Sequence, residues 1–464
     1  MRINHNISAQ LANVSLKKSE TNIALSLEKL SSGYKITKAA DDSAGMAISN
    51  KMRTQIRALD QSARNASDGQ SIIQTADGAL SEVHSLLQRI RELGVQAAND
   101  TYTIDDRNSA QQEIDQLMDE IDRIAKTTEF NGKGLLDGSA SRTITSSNDY
   151  VSAISTSMSV PDGEYNFSIE EIATSAVVPA GEITYEIPDT GTSYIIINSE
   201  RIEIESTDTD ESIHQKITSI CDKMNITVEG EGSGGISLRT NTAGSKQSIS
   251  IRCEGQEEDT VYSGSDAVLS LGDSLSTATY YADGNYITIS DINGFEMQLE
   301  LPTAQSDDDE KADIAGAEVA LNVYDAGYMA IQIGANEHQN LDIDFPEISC
   351  QTLGLKDSNG INRINVCTGN GATNAIDTLD KAIERVSTAR ASLGAYENRI
   401  DSTIASLNIA SENMTNSMSR IMDTDMASEM TRYTQLDVLK QASSSMLSQA
   451  NNRPQQVMSL LQGM

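Results

Sequence analysis

The residues of this chain that could do chemistry are few and scattered. The four histidines, His5, His84, His214 and His338, stand far apart, and none has the i, i+4 partner of an HExxH zinc helix. Each reads as a surface or hydrogen-bonded histidine rather than a ligand. The acidic pairs Asp41-Asp42 and Asp105-Asp106 have the residue types for general acid and base work, but both fall where helices should begin. There a carboxylate stabilises the positive end of the helix dipole. The piece GEGSGG, Gly230 to Gly235, has no Lys-Ser or Lys-Thr after it and reads as turns, not a phosphate cradle. Cys221, Cys253, Cys350 and Cys367 make an even count, which allows disulfides in an oxidising setting; a reducing one leaves four thiols, and spacing does not give the connectivity. No catalytic residue, metal ligand or cofactor is expected, and the chain does not read as an enzyme.

Composition narrows the classes further. At 464 residues the chain should divide into two or more domains. It has 68 acidic against 34 basic residues, a formal net charge of -34. That argues against nucleic acid or an anionic membrane as partner, since phosphate binding needs clustered Lys and Arg. No apolar run reaches the roughly 20 residues of a membrane span. The opening MRINHNISAQLANVSLKKSE lacks the apolar stretch of a secretory signal, so export, if it happens, is expected by another route.

The elements carry the stronger signal. From Ile376 an apolar seam runs through Leu379, Ile383, Val386, Leu393, Ile400, Ile404, Leu407, Met414, Met418 and Ile421 in steps of 3 and 4. Arg390, Glu397 and Ser411 fall on the same register, which predicts a bundle with polar or small-residue layers. Near the other end, Leu80, Val83, Leu87 and Ile90, then Ile114, Leu117, Ile121 and Ile124, repeat the period. A first helix is predicted over Ile7 to Leu30, with Ile7, Leu11, Val14, Ile23, Leu27 and Leu30 on one side and Gly33 as its stop. Asp41, Asp42 or Ser43 should cap a second, running to about Asn99, and a third covers Ile104 to Thr127. In the last fifty residues Leu436, Leu439, Ser443, Met446, Ala450, Arg453, Val457 and Leu460 keep the stripe, and Pro454 predicts a bend or restart. Leu461 extends the apolar end.

Between these ends the pattern changes to period two. Ile195 and Ile197, Ile202 and Ile204, Ile287 and Ile289 alternate with polar residues, and Gly, Asp, Ser and Thr punctuate the runs. One helix interrupts them near Asp210 to Met224, with Ile213, Ile217 and Ile220 on one face. The fold class is therefore mainly α with a β-rich insertion, bounded by the acidic stretch Asp307 to Glu310.

These ends also carry a family resemblance. MRINHNISAQLANVSL, LEKLSSGYKITKAADDSAGMAIS, SARNASDGQSIIQTADGAL, LLQRIRELGVQAAND and EFNGKGLLDG resemble the N-terminal core of bacterial flagellin. IQIGANE, ARASLGAYENRI, DMASE and MLSQANNRPQQVMSLLQG resemble its C-terminal core. The resemblance implies an extracellular filament subunit that polymerises with its own copies. It divides the chain into an inner coiled-coil core of 1–44 with 420–464, a helical rod of 45–138 with 321–419, and an exposed variable block of 139–320. It implies polymerisation through Ile7, Leu11, Val14, Leu27, Leu436, Leu439, Met446, Val457, Leu460 and Leu461. It also implies export largely unfolded by the flagellar export apparatus, with an export chaperone and with hook-junction and filament-cap proteins as partners. A hook-filament junction protein is the alternative reading, and a peptidase insertion lacks the histidine pair it would need. Four cysteines depart from the family pattern.

One further implication concerns LLQRIREL, Leu86 to Leu93. With Leu80, Val83, Leu87 and Ile90 turned inward, Arg89, Glu92 and Leu93 are expected to point away, with Gln88 and Arg91 flanking the seam. By itself this is a solvated polar face. In flagellins, however, the matching motif contacts toll-like receptor 5, which implies a receptor surface of Gln88, Arg89, Arg91 and Leu93 with Glu113 on the neighbouring helix.

Overall fold

The computed structural model describes residues 6–141, 143–148, 151–156, 160–188, 192–230, 232–254, 256, 258–291, 295–302, 316–324, 328–357 and 360–462. His5 and the acidic stretch Asp307 to Glu310 lie outside them. Six α-helices are α1 (Ile7–Ser32), α2 (Ser43–Ala97), α3 (Ile104–Thr127), α4 (Asp210–Lys223), α5 (Gly369–Met422) and α6 (Met426–Gln462). The chain divides into two units: Met1–Ser67 with Gln332–Asn340 and Asp401–Met464, and Asp68–Ile331 with Leu341–Ile400. None of the described helices is long and apolar enough to cross a membrane.

The helix ends follow from local chemistry. Asn6 caps α1 by accepting from the Ala9 amide, and Gly33 closes it at φ 75°, a left-handed backbone that suits glycine. Of the three candidates to start α2, Asp42 accepts from the Gly45 amide at 2.9 Å, whereas Asp41 turns back to the Thr37 and Lys38 amides. Thr103 and Asp106 make a reciprocal capping box on α3. Helical structure begins at Gly369, ahead of the seam that starts at Ile376. Helix α6 continues through Pro454, so no restart is seen there.

In the first unit α1 and α6 pair antiparallel. The Asn6 side chain donates to the Ala450 carbonyl at 2.9 Å, the Ser26 hydroxyl donates to Glu429, and the Thr424 amide donates to the Gly33 carbonyl at 2.9 Å. A line of shielded residues on α1 runs through Ala9, Ala12, Leu16, Ser19, Ile23 and Ser26, every step a 3 or a 4. On α6 a matching line runs through Tyr433, Leu436, Lys440, Ser443, Leu447 and Ala450. This corrects the expected first stripe in part: Ile23 lies in the seam and Leu30 is half-buried, but Leu27 is exposed. Small residues make the seam because they let two backbones approach, and Ile7, Leu11 and Val14 are turned elsewhere.

In the second unit α2, α3 and α5 share a core. Leu80, Val83, Leu87 and Ile90 of α2, Ile114, Met118 and Ile121 of α3, and Leu379, Val386 and Leu393 of α5 are fully buried. On α3 the buried line passes through Met118 rather than Leu117, which with Ile124 is half-buried. Ala372, Ala375, Ala382 and Ala389 alternate with the large α5 residues, and Ile376 and Ile383 sit half-buried at the edge.

The inserted block folds around two separate cores. One gathers Phe167, Ile169, Ile287, Ile289, Leu299 and Leu321 from two four-stranded antiparallel sheets. The other gathers Ile195, Ile197, Ile202 and Ile204 with Ile213, Ile217 and Cys221 of α4. The alternating runs become strands Thr192–Ile197 and Glu200–Glu205, which pair antiparallel as a hairpin turned at Asn198 and Ser199, both with positive φ. On α4 the third buried position is Cys221, with Ile220 half-buried beside it.

Candidate interaction surfaces

Polar residues that interrupt the α5 seam mark its pairing with α2. Arg390 Nε lies 2.8 Å from Asp77 Oδ1, and Glu397 accepts from Gln74 at 2.8 Å, both within the second unit. In the first unit Ser411 donates to Asp60 at 2.9 Å. All three partners lie on α2, in the order an antiparallel pair requires. The expected polar layers are therefore cross-helix hydrogen bonds, which fix register where an apolar stripe alone would allow slippage.

The apolar stripes of the first unit stay largely open. Ile7 is 66 %, Leu11 64 %, Val14 61 % and Leu27 48 % exposed, and on α6 Leu439 and Met446 are 47 % and 67 % exposed. Leu436 differs, since it lies half-buried on the seam side. The side chains of Val457, Leu460 and Leu461 lie outside the described residues. Monomeric proteins seldom leave so many large aliphatic side chains in water along one pair of helices.

On α2, Gln88 and Arg89 are exposed and Arg91 is half-buried. The Arg89 guanidinium bonds Glu113 of α3 at 2.8 Å and lies 3.4 Å from Glu92, and Arg91 pairs with Asp380 of α5. Hydrogen bonding to Glu113, reinforced by its charge, pushes the Arg89 pKa up. Leu93 requires a correction: it is 3 % exposed. It falls one turn beyond Ile90, and α2 is covered by both α3 and α5, so its buried sector is wider than one stripe.

Among the described residues, the remaining titratable groups gather no cluster that could hold a metal ion. His84 lies beside Gln88, Nε2 to Nε2 at 2.9 Å, and His338 is exposed beside Glu337. All four cysteines are buried free thiols, so none of the disulfides that the even count allowed is formed.

Comparison with known proteins gives this geometry its family. Residues 3–141 match the bacterial flagellin N-terminal helical region and residues 376–461 the bacterial flagellin C-terminal helical region. Flagellin of Clostridium tyrobutyricum is 35 % identical over 456 residues, covering 98 % of this chain and 100 % of that protein. The chain belongs to the bacterial flagellin family. Flagellin B of Vibrio anguillarum is 31 % identical over 462 residues, covering 99 % of each chain. The solved structure of FliC from Burkholderia pseudomallei is 18 % identical, covering 71 % of this chain and 99 % of that one, with a TM-score of 0.23. As a flagellin, the protein is a structural subunit of the extracellular flagellar filament, with helical ends and a β-rich middle.

Proposed function

We propose that the open faces of α1 and α6 are polymerisation surfaces, covered by neighbouring copies when the subunit joins the filament. The observation that carries this is the exposure of Ile7, Leu11, Val14, Leu27, Leu439 and Met446 after α1 and α6 have already paired. Each such side chain gains roughly 1.5–3 kcal/mol on burial, so contacts along two helices are ample to drive assembly. Leu436 supports the seam, and Val457, Leu460 and Leu461 continue the 3-and-4 spacing of the stripe in the sequence. In this reading 1–44 with 420–464 form the inner core, 45–138 with 321–419 the rod, and 139–320 the solvated outer block.

The subunit travels largely unfolded through the flagellar export apparatus, helped by an export chaperone, and folds at the tip beside filament-cap and hook-junction proteins. A seam of alanines and serines suits that route, because ends held by so little apolar surface order only when partners arrive. The exposed Gln88, Arg89 and Glu113 and the half-buried Arg91 form the face offered to toll-like receptor 5, with Leu93 shaping it from beneath.

Seeded polymerisation tests the central statement. A Leu11→Ser, Val14→Ser subunit should keep the circular dichroism of the wild-type monomer yet fail to elongate filament seeds. Elongation at the wild-type rate would remove the assignment.

A further inference from the structure

Residues 350–357 and 360–367, which begin and end on cysteines, lie along α3 as a strap. The Cys350 amide donates to Asp122 Oδ1 at 2.7 Å and its thiol to the Met118 carbonyl at 3.1 Å. Lys356 reaches Asp119 at 2.8 Å, and Asn362 donates to Asp115 at 2.8 Å. Gln111 donates to the Ile364 carbonyl and accepts from the Val366 amide. At the far end the Cys367 thiol donates to Asn108 Oδ1 at 3.1 Å. Contacts thus descend α3 from Asp122 to Asn108 as the strap advances. Of the strap's own residues, Leu355 and Val366 are fully buried and Leu353 and Ile364 almost so. The strap forms no strand ladder among its described residues, whose β pairing is an isolated bridge, Lys356 with Asn362.

This layout opposes the chemistry of its own ends. Met118 and Asn108 are ten residues apart on α3, about 15 Å at 1.5 Å per residue. A disulfide needs its two Cα atoms within about 7 Å. The docked strap therefore excludes a Cys350–Cys367 bridge. In the unfolded chain the same two thiols are separated by only about 17 residues, the shortest interval between any two of the four cysteines but one that a flexible loop closes readily. Once docked, the thiols are sheltered: Cys350 is fully buried, Cys367 is 5 % exposed, and burial pushes the Cys367 thiol up to about 11.

We propose that the strap is a thiol–disulfide gate on folding: the core closes over α3 only from the reduced chain, and a Cys350–Cys367 disulfide formed beforehand diverts it into a loop that cannot dock. The oxidant is a low-molecular-weight disulfide of the glutathione class. One cysteine thiolate attacks it, giving a mixed disulfide and one released thiol; the second cysteine thiolate then attacks the protein sulfur and releases the other. Two protein S–H groups and one R–S–S–R become one protein S–S and two R–S–H. A dithiol reverses the exchange.

Refolding the full chain from denaturant with reduced glutathione or with glutathione disulfide tests this. With the disulfide, peptide mapping should find the Cys350–Cys367 bridge, and the yield of chain with exchange-protected α3 amides should fall at least tenfold and recover on adding dithiothreitol. A Cys350→Ser, Cys367→Ser chain should refold equally well in both, since serine can donate the same two hydrogen bonds. Chain that carries the bridge and still protects α3 would overturn the gate, as would a double variant that remains equally sensitive. Should the double variant fail to fold, native wild-type protein decides: rapid reaction of its two strap thiols with glutathione disulfide, without unfolding, would equally overturn it.

Discussion

The carboxamide of Asn6 donates to the carbonyl of Ala450 at 2.9 Å, joining residues 444 positions apart in sequence. It ties the start of α1 to the last third of α6, and Ser26 with Glu429 ties the other end. Between these points the seam is mostly alanine, serine and single leucines, so pairing itself buries little apolar surface. Ile7, Leu11, Val14, Leu27 and Leu439 look outward.

Deleting residues 447–464 removes Ala450 and the end of the apolar stripe. The shortened subunit should retain its second unit, whose core lies in α2, α3 and α5, and should not polymerise. Hydrogen exchange of α2 and α3 together with electron micrographs of seeded samples checks both halves of this expectation. Normal filaments from the truncated chain would refute it.

Arg89→Ala should weaken binding of the monomer to toll-like receptor 5 at least tenfold, because a guanidinium making several charge-assisted hydrogen bonds often dominates an interface. The fold should survive, since an exposed ion pair such as Arg89–Glu113 contributes only about 0.2–1 kcal/mol. Leu93→Ala is expected to differ, costing about 2–5 kcal/mol as a buried truncation. Surface plasmon resonance and urea unfolding on the two single variants separate the effects. Unchanged affinity in Arg89→Ala would exclude the site.

A Cβ at Gly69 of α2 would collide with Ile331 Cδ1, so that buried side-chain end must shift to make room. Gly69→Ala should lower stability by about 1–3 kcal/mol through overpacking, despite alanine's better helix propensity. Adding Ile331→Val removes the colliding methyl and should restore part of the loss. Denaturant midpoints of the two single variants and the double variant measure the coupling; strict additivity would rule out the contact.

Glu347 carries a pH-dependent cost. Burial, with Asp137 nearby adding repulsion, raises its pKa above the ordinary carboxylate value, and a hydrogen bond from Ser349 only partly opposes this. A raised folded pKa contributes stability below the unfolded value of about 4.3, lost as pH rises through the folded value. Glu347→Gln should therefore gain stability over wild type at pH 7 and lose that advantage by pH 4. Melting temperatures across that range check it, and a constant difference would contradict the burial argument.

Much of this protein was fixed by period and caps. The 3-and-4 spacing from Leu80 to Ile90 and from Leu379 to Leu393 determined helices with a face to bury, and Gly33 and Thr103 set where two helices stop and start. The alternation Ile195, Ile197, Ile202, Ile204 determined strands with one buried side. Local geometry decides these features, so one sequence suffices to read them. Which face meets which partner was decided only by tertiary packing. The α1 seam runs through Ala9, Ala12 and Ser19 rather than Ile7, Leu11 and Val14, because close approach favours small residues over greasy ones. Leu93 is buried because two helices, not one, cover α2. Arg390, Glu397 and Ser411 were legible as interruptions, yet their partners Asp77, Gln74 and Asp60 emerge only when α5 lies antiparallel to α2. Cys350 and Cys367, close along the chain, are held apart because α3 is a rigid rod that spaces what the sequence brings near.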